Sequence, residues 1–329
     1  MLLNLDQIRA ISKGAVRVEQ ENSRFRFFRF TEAQVNSYAN AGKTDFYNKT
    51  FASAGVRLAF KTTSRKLAFD YFLTPASSRR FAWFDVYEDG SMRRHFGTEG
   101  GEVTAGHAEI DLHEGETTVE VYLPWSYRTD LANVSIEDGA TLEPVCRKRT
   151  MISFGDSITH GYDATYPSLS YASRLSGLLD ADAINKGIGG DCFFPALLEK
   201  PDPIDPDMIT VAYGTNDWNH RTREHFAKEC GAFYARLSEL YPRAQIYAIT
   251  PIWRGDAAKA TPFGTHARTV HDMIESLCRD LPNVTLIRAW DFVPHLKEFF
   301  SDFYLHPNDQ GFGIYAANLY RAIKENDRQ

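Results

Sequence analysis

Cysteine is scarce in this chain. Cys146, Cys192, Cys230 and Cys278 are widely spaced, form no CxxC and have no histidine at zinc-finger spacing. A disulfide framework is therefore not expected, and free thiols in a reducing, cytoplasmic setting are. Long apolar runs are also missing; the longest fall far short of the roughly 20 residues that a membrane-spanning helix needs. Lysine and arginine never concentrate: the net charge is −6, with 17 basic against 20 acidic residues before position 146 and 20 against 23 after it. Neither nucleic acid nor an anionic membrane is thus an expected partner. The first fourteen residues carry Asp6 and Arg9 where a secretory leader would be apolar, and no small-residue cleavage site follows, so no leader is expected. Internal repeats and low-complexity tracts are absent, and nothing in the sequence indicates an oligomeric state.

What remains is ordinary globular material: 329 residues, 43% hydrophobic and 24% charged. Disorder, collagen and coiled coil are excluded, and the length suggests two domains. The rhythm changes near residue 148. Segments 56–60, 67–72, 81–87 and 119–123 are aromatic and β-branched, and turn signals such as Glu88-Asp89-Gly90 and Glu114-Gly115 separate them. This predicts an all-β sandwich, jelly-roll-like, over residues 1–147. From 148 to 329 the pattern becomes strand, loop, helix. Strands are expected at 151–154, 183–184, 208–213, 246–249 and 284–287. Amphipathic helices carry Leu169, Ala172, Leu175, Leu178 and Leu179, then Phe226, Cys230, Phe233, Leu237 and Leu240, then Val270, Ile274 and Leu277. Five strands alternating with helices predict a parallel sheet covered on both faces.

In such a sheet ligands bind beyond the carboxyl ends of the strands. The residues there are unusually polar: 155–162 after the first strand, 185–191 after the second, 214–218 after the third, 250–254 after the fourth and 302–308 late in the chain. Acyl transfer by a serine needs a nucleophile, a base within hydrogen-bond reach and donors aimed at the developing oxyanion. Ser157 on a glycine-containing turn supplies the first and His306 the second. The backbone N–H groups of Ser157 and Gly190 and the side-chain amide of Asn216 supply the third.

Gly155-Asp156-Ser157, Gly189-Gly190-Asp191, Gly214-Thr215-Asn216-Asp217 and His306-Pro307-Asn308 resemble the four ordered blocks of the SGNH (GDSL-type) hydrolases, over roughly residues 150–320. Each block is weak alone; four in order at strand ends are not. The resemblance implies a flavodoxin-like three-layer α/β domain in which Ser157 is the nucleophile, His306 the base, and Gly190 and Asn216 complete the oxyanion hole. With a preceding sandwich, the chain resembles the two-domain carbohydrate esterases of the acetylxylan esterase type. One position departs from the family pattern: where an aspartate normally stands three residues before the histidine there is Phe303, with Asp302 one residue earlier. Asp302 is the expected orienting acid if the loop bulges, and a backbone carbonyl or a distant acid is the alternative.

Other residues have competing readings. Asp156 and Asn308 are expected to cap helices. His160, Tyr162, Trp218 and Trp253 are the expected substrate-binding side chains, with His220 and Arg254 as weaker candidates. Residues 255–265 read as a pocket flap or as an idle surface loop. No metal is expected, since His160, His220 and His306 form no ligand motif such as HExxH. The expected activity is hydrolysis of a small acyl ester, acetyl on a carbohydrate, through an acyl-serine intermediate and without a cofactor. The alternatives are a lysophospholipase or thioesterase using the same site, and an inactive carbohydrate-binding protein.

Overall fold

A computed structural model describes residues 1–101 and 104–327. Two antiparallel sheets fill most of the first 144 residues. One runs Ser12–Lys13, Arg57–Thr62, Thr117–Tyr122, Phe81–Glu88 and Ser91–Glu99, with Glu143–Pro144 pairing on Arg57–Thr62; the other runs Arg17–Glu21, Arg24–Phe28, Tyr127–Ile136, Lys66–Pro75 and Ala105–Asp111. Their strands alternate inward and outward, so Phe60, Val86 and Val121 from one sheet meet Phe69, Phe27 and Leu131 from the other in a single apolar core. Two short helices, Glu32–Asn40 and Thr44–Lys49, leave the sandwich after the first hairpin. The strand-like pattern of the first 147 residues predicts no helix there. Its signal was present in Thr31-Glu32-Ala33-Gln34, a capping box in which Thr31 Oγ1 accepts from Gln34 N and Gln34 Oε1 accepts from Thr31 N.

The remainder is a five-stranded, all-parallel sheet in the order Ala181–Gly187, Arg149–Gly155, Met208–Ala212, Gln245–Ile249, Val284–Ile287. The central strands are buried on both faces, which is why they read as near-continuous apolar runs. Helices Tyr171–Leu178 and Asp309–Asn326 pack on one face, and Arg223–Leu240 and Thr269–Cys278 on the other, giving three layers. The second strand, Ala181–Gly187, runs beyond the expected 183–184, and the polar Asp182, Asn185 and Lys186 are why an apolar pattern understates it. Asn185 and Lys186 are buried within the strand, satisfied by Thr159 O and by Asp202 and Gln34. Strand order reverses at Arg149–Gly155, so a crevice opens at its carboxyl end, where Ser157 lies. All four cysteines are free, and no helix among the described residues is long and apolar enough to cross a membrane.

Candidate active site

Strand Arg149–Gly155 ends at a glycine because a Cβ there would lie 2.0 Å from Thr159 Oγ1. The chain then turns directly into a four-residue helix, Ser157–His160, capped by Asp156, whose carboxylate accepts from Ile158 N at 3.0 Å. Burial pushes the Asp156 carboxyl up to about 7, and the charge of Asp191 adds to the effect. Ser157, 4% exposed, has its Oγ 2.9 Å from His306 Nε2. On the other side of the ring, His306 Nδ1 is 2.7 Å from Asp302 Oδ2.

Asp302 reaches the ring because the loop bulges. Phe303 adopts φ +65°, the left-handed region that L-residues seldom occupy, which absorbs the extra residue between acid and base. The other carboxylate oxygen, Oδ1, accepts the N–H groups of Tyr304, Leu305 and His306 at 3.1, 2.8 and 3.0 Å. Burial alone would raise this carboxyl, but the hydrogen bonds from His306 and from the Leu305 and Tyr304 N–H groups outweigh it. They hold Asp302 well below the usual carboxylate range.

The three donors expected from the sequence lie on the loops after the first three strands of the parallel sheet. The Ser157 N–H opens a helix and has no partner within it. Gly190 is exposed at φ +89°, a conformation that a glycine adopts without strain. The Asn216 amide, near the start of helix Thr215–His220, donates one hydrogen to Asp191 O at 2.9 Å, which orients it and leaves its second hydrogen available.

The residues that hold this glycine loop come from the first 49 positions, and the sequence reading missed them. Lys49 Nζ donates to Gly189 O at 2.8 Å, and Tyr38 Oη donates to Asp191 Oδ2 at 2.6 Å. The fully buried Arg29 guanidinium donates to the carbonyls of Asn185 and Gly187 as well as to Ala52 and Lys49. The ring of Phe46 lies 3.4 Å from where a Cβ on Gly190 would stand. A second carboxylate was also missed: Asp163, with Oδ2 3.7 Å from His306 Nδ1. Asp163, Asp302 and His306 are close enough together for a cation. Their oxygens are already engaged, however, by Arg79 and Ser301 on Asp163 and by three backbone N–H groups on Asp302, and His306 Nδ1 faces a carboxylate.

Several expected substrate contacts are corrected. Trp218 is wholly buried in the α/β core, with the Arg254 guanidinium 4.8 Å from its ring centroid, so it offers no face to a ligand. Arg254 is itself buried, donating to Thr215 O and Oγ1 and so bracing the helix that carries Asn216. His160 is buried and kept neutral by burial, its Nε2 3.1 Å from Trp125 O. Tyr162 is buried too, its ring 5.8 Å from that of His306 and its Oη accepting from Ser78 Oγ. It packs against the His306 ring and does not face solvent. Trp253 remains half-buried, stacked on His295, while Phe303 and Tyr304 on the histidine loop are exposed. His220 is exposed and pairs with Asn219. Segment 255–265 is pinned by Phe263, which is buried against Phe226, so it does not hang free as a flap. Asn308 caps the last helix, accepting from Gln310 N and Gly311 N.

Three solved structures share this architecture. A salicylyl-acyltransferase from a tetracycline biosynthetic pathway superposes with a TM-score of 0.81 at 22% identity, over 96% of this chain and 94% of that one. A family two carbohydrate esterase from Clostridium thermocellum, in complex with cellohexaose, gives 0.67 at 15% identity over 84% and 93%. An acetyl xylan esterase from the rumen bacterium Butyrivibrio proteoclasticus gives 0.63 at 15% over 96% and 95%. No curated protein sequence matches the chain. Residues 153–314 match the GDSL-like lipase/acylhydrolase family. Residues 153–314, which carry Ser157 and His306, therefore form a GDSL-like lipase/acylhydrolase domain, and with it the protein is a carboxylic ester hydrolase.

Proposed function

We propose that Ser157 attacks the carbonyl of a small acyl ester, acetyl on a carbohydrate hydroxyl, and that water then releases the acyl-enzyme. In this reading residues 148–329 form the catalytic domain and residues 1–147 an accessory domain that also shapes the site. His306 takes the Ser157 proton through Nε2 and returns it to the leaving alkoxide, then activates water for deacylation. Asp302 fixes the ring by accepting from Nδ1–H and stabilises the imidazolium. Ser157 N–H, Gly190 N–H and Asn216 Nδ2 stabilise the tetrahedral oxyanion. The observation that carries the proposal is the unbroken relay from Ser157 Oγ to His306, 2.9 Å, and from His306 to Asp302, 2.7 Å.

The choice of a short acyl group follows the acetyl xylan esterase that shares this fold. For the alcohol side, Trp253 and Tyr304 flank Gly255, and Phe303 lies next along the histidine loop; the exposed rings of Phe303 and Tyr304 suit a sugar ring. The carbohydrate esterases with this fold, one of them in complex with cellohexaose and one an acetyl xylan esterase, support that choice. Turnover of p-nitrophenyl acetate, butyrate and octanoate, followed by acetate release from acetylated xylan, tests it. The expected order is acetate first and octanoate last. Preference for octanoate would favour the lysophospholipase or thioesterase reading, and no turnover at all would favour an inactive carbohydrate-binding protein.

A further inference from the structure

Asp163 lies eight residues after Gly155, the end of the strand that delivers the nucleophile, in a turn where its φ is +69°. Arg79, from the sandwich, grips its carboxylate with a fork: Nε to Oδ1 at 2.5 Å and Nη2 to Oδ2 at 3.3 Å. Ser301 Oγ donates to the same Oδ2 at 2.8 Å, while Ser301 N donates to His306 O at 2.8 Å, tying this carboxylate to the histidine loop. The Arg79 guanidinium also lies 5.3 Å from the centroid of the Tyr162 ring that packs against His306. The Asp163 side chain is only 10% exposed, so its charge is poorly screened by solvent.

We propose that Asp163 and Arg79 are a cross-domain positioning pair for His306, through which the sandwich sets the charge balance at the base. The proposal rests on the reading of His306 as general base. At 3.7 Å, Asp163 Oδ2 is too far from Nδ1 for a hydrogen bond but close enough to attract an imidazolium. Arg79 does two things to it. The fork holds the carboxylate off Nδ1, so Asp302 alone takes that hydrogen, and the guanidinium cancels part of its field. Few other charges face the ring. On its own loop there is Asp302, on the nucleophile turn Asp156, whose carboxyl senses the His306 charge, and from the sandwich Arg79.

Removing either member therefore has opposite consequences. Asp163→Asn leaves an unmatched cation near the ring, disfavours the imidazolium and shifts the acidic limb of the kcat/KM profile to lower pH. Arg79→Gln leaves an unmatched anion and shifts that limb to higher pH. Each shift is expected to be roughly half to one pH unit. Arg79→Lys, which keeps the charge without the fork, should leave the limb near wild type and lower kcat with little change in KM. In the Asp163→Asn, Arg79→Gln double variant the limb returns close to wild type.

The test is a set of pH–rate profiles with p-nitrophenyl acetate on the full chain, with thermal unfolding to establish that each variant is folded. Limbs that stay put in both single variants, or that move the same way, would overturn the proposal and make the pair a brace for the turn. If only one single variant folds, the direction of its limb decides. Full activity in Ser157→Ala would instead defeat the nucleophile reading, an outcome independent of Arg79 and Asp163.

Discussion

At the scale of single residues, the unusual acid spacing is resolved by one backbone dihedral. Phe303 at φ +65° takes up the additional residue, so Asp302 reaches His306 Nδ1 at 2.7 Å despite standing four positions away. Asp302→Asn would present a mixed donor and acceptor to Nδ1 and permit the wrong tautomer. We expect kcat to fall on the order of 10²- to 10⁴-fold with KM little changed, and a fall of less than about threefold would mean another group orients the ring. Asp156 gives a stability prediction. Its carboxyl titrates at about 7 in the fold instead of the ordinary 3.8. The unfolded chain thus loses that proton first, and stability declines as pH rises from about 4 to 7. Asparagine keeps the helix cap without the charge. The melting temperature of Asp156→Asn should therefore exceed that of wild type at pH 8, with the gap closing as pH falls towards 4. A gap independent of pH would contradict this.

At the scale of elements, the parallel sheet was legible because each strand is a short apolar run followed by polar residues and then a helical period. Ser157, Gly190 and Asn216 could be singled out because strand order brings the ends of those strands together, and His306 through its late His-Pro-Asn block. What was not legible depends on packing. Trp218 and Tyr162 sit in strand-end blocks, yet their side chains turn inward, a direction that one-dimensional spacing does not record. Helices Glu32–Asn40 and Thr44–Lys49 were hidden by brevity and by a weak apolar stripe, and the partners they grip lie some 140 residues away. These helices act on the glycine loop. Lys49→Met removes the donor to Gly189 O and frees the peptide that precedes Gly190. We expect kcat to drop roughly 10-fold with KM nearly unchanged, less than the loss of an oxyanion donor itself. Steady-state kinetics check this, and an unaltered kcat would show that the loop holds its own shape.

At the scale of the whole molecule, the sandwich and the α/β half are joined through buried polar contacts as well as apolar ones. Arg57, almost wholly buried, pairs with Asp182 at 2.6 Å and with Glu120 at 2.8 Å. Lys186 in the second parallel strand pairs with Asp202 and donates to Gln34 at 2.7 Å. Trp125 Nε1 donates to Ala164 O at 2.9 Å, and Ser168 N donates to Asp85 Oδ2 at 2.8 Å. Breaking one partner of a buried pair typically costs about 3–5 kcal/mol, so Asp182→Ala, which leaves Arg57 buried without its partner across the two halves, is expected to destabilise the fold. The sandwich reaches the glycine loop through Arg29 and Lys49, and the base through Arg79. It is thus built into the site, a larger part than sequence alone would give it. The whole assembly converges on one atom, Ser157 Oγ. Its most direct test is stoichiometric labelling by a phosphonofluoridate, with the modified peptide identified by mass spectrometry. One label per chain on Ser157 is expected, with loss of esterase activity in proportion to labelling and no label in Ser157→Ala. A label on another residue, or full esterase activity after Ser157 is blocked, would contradict it.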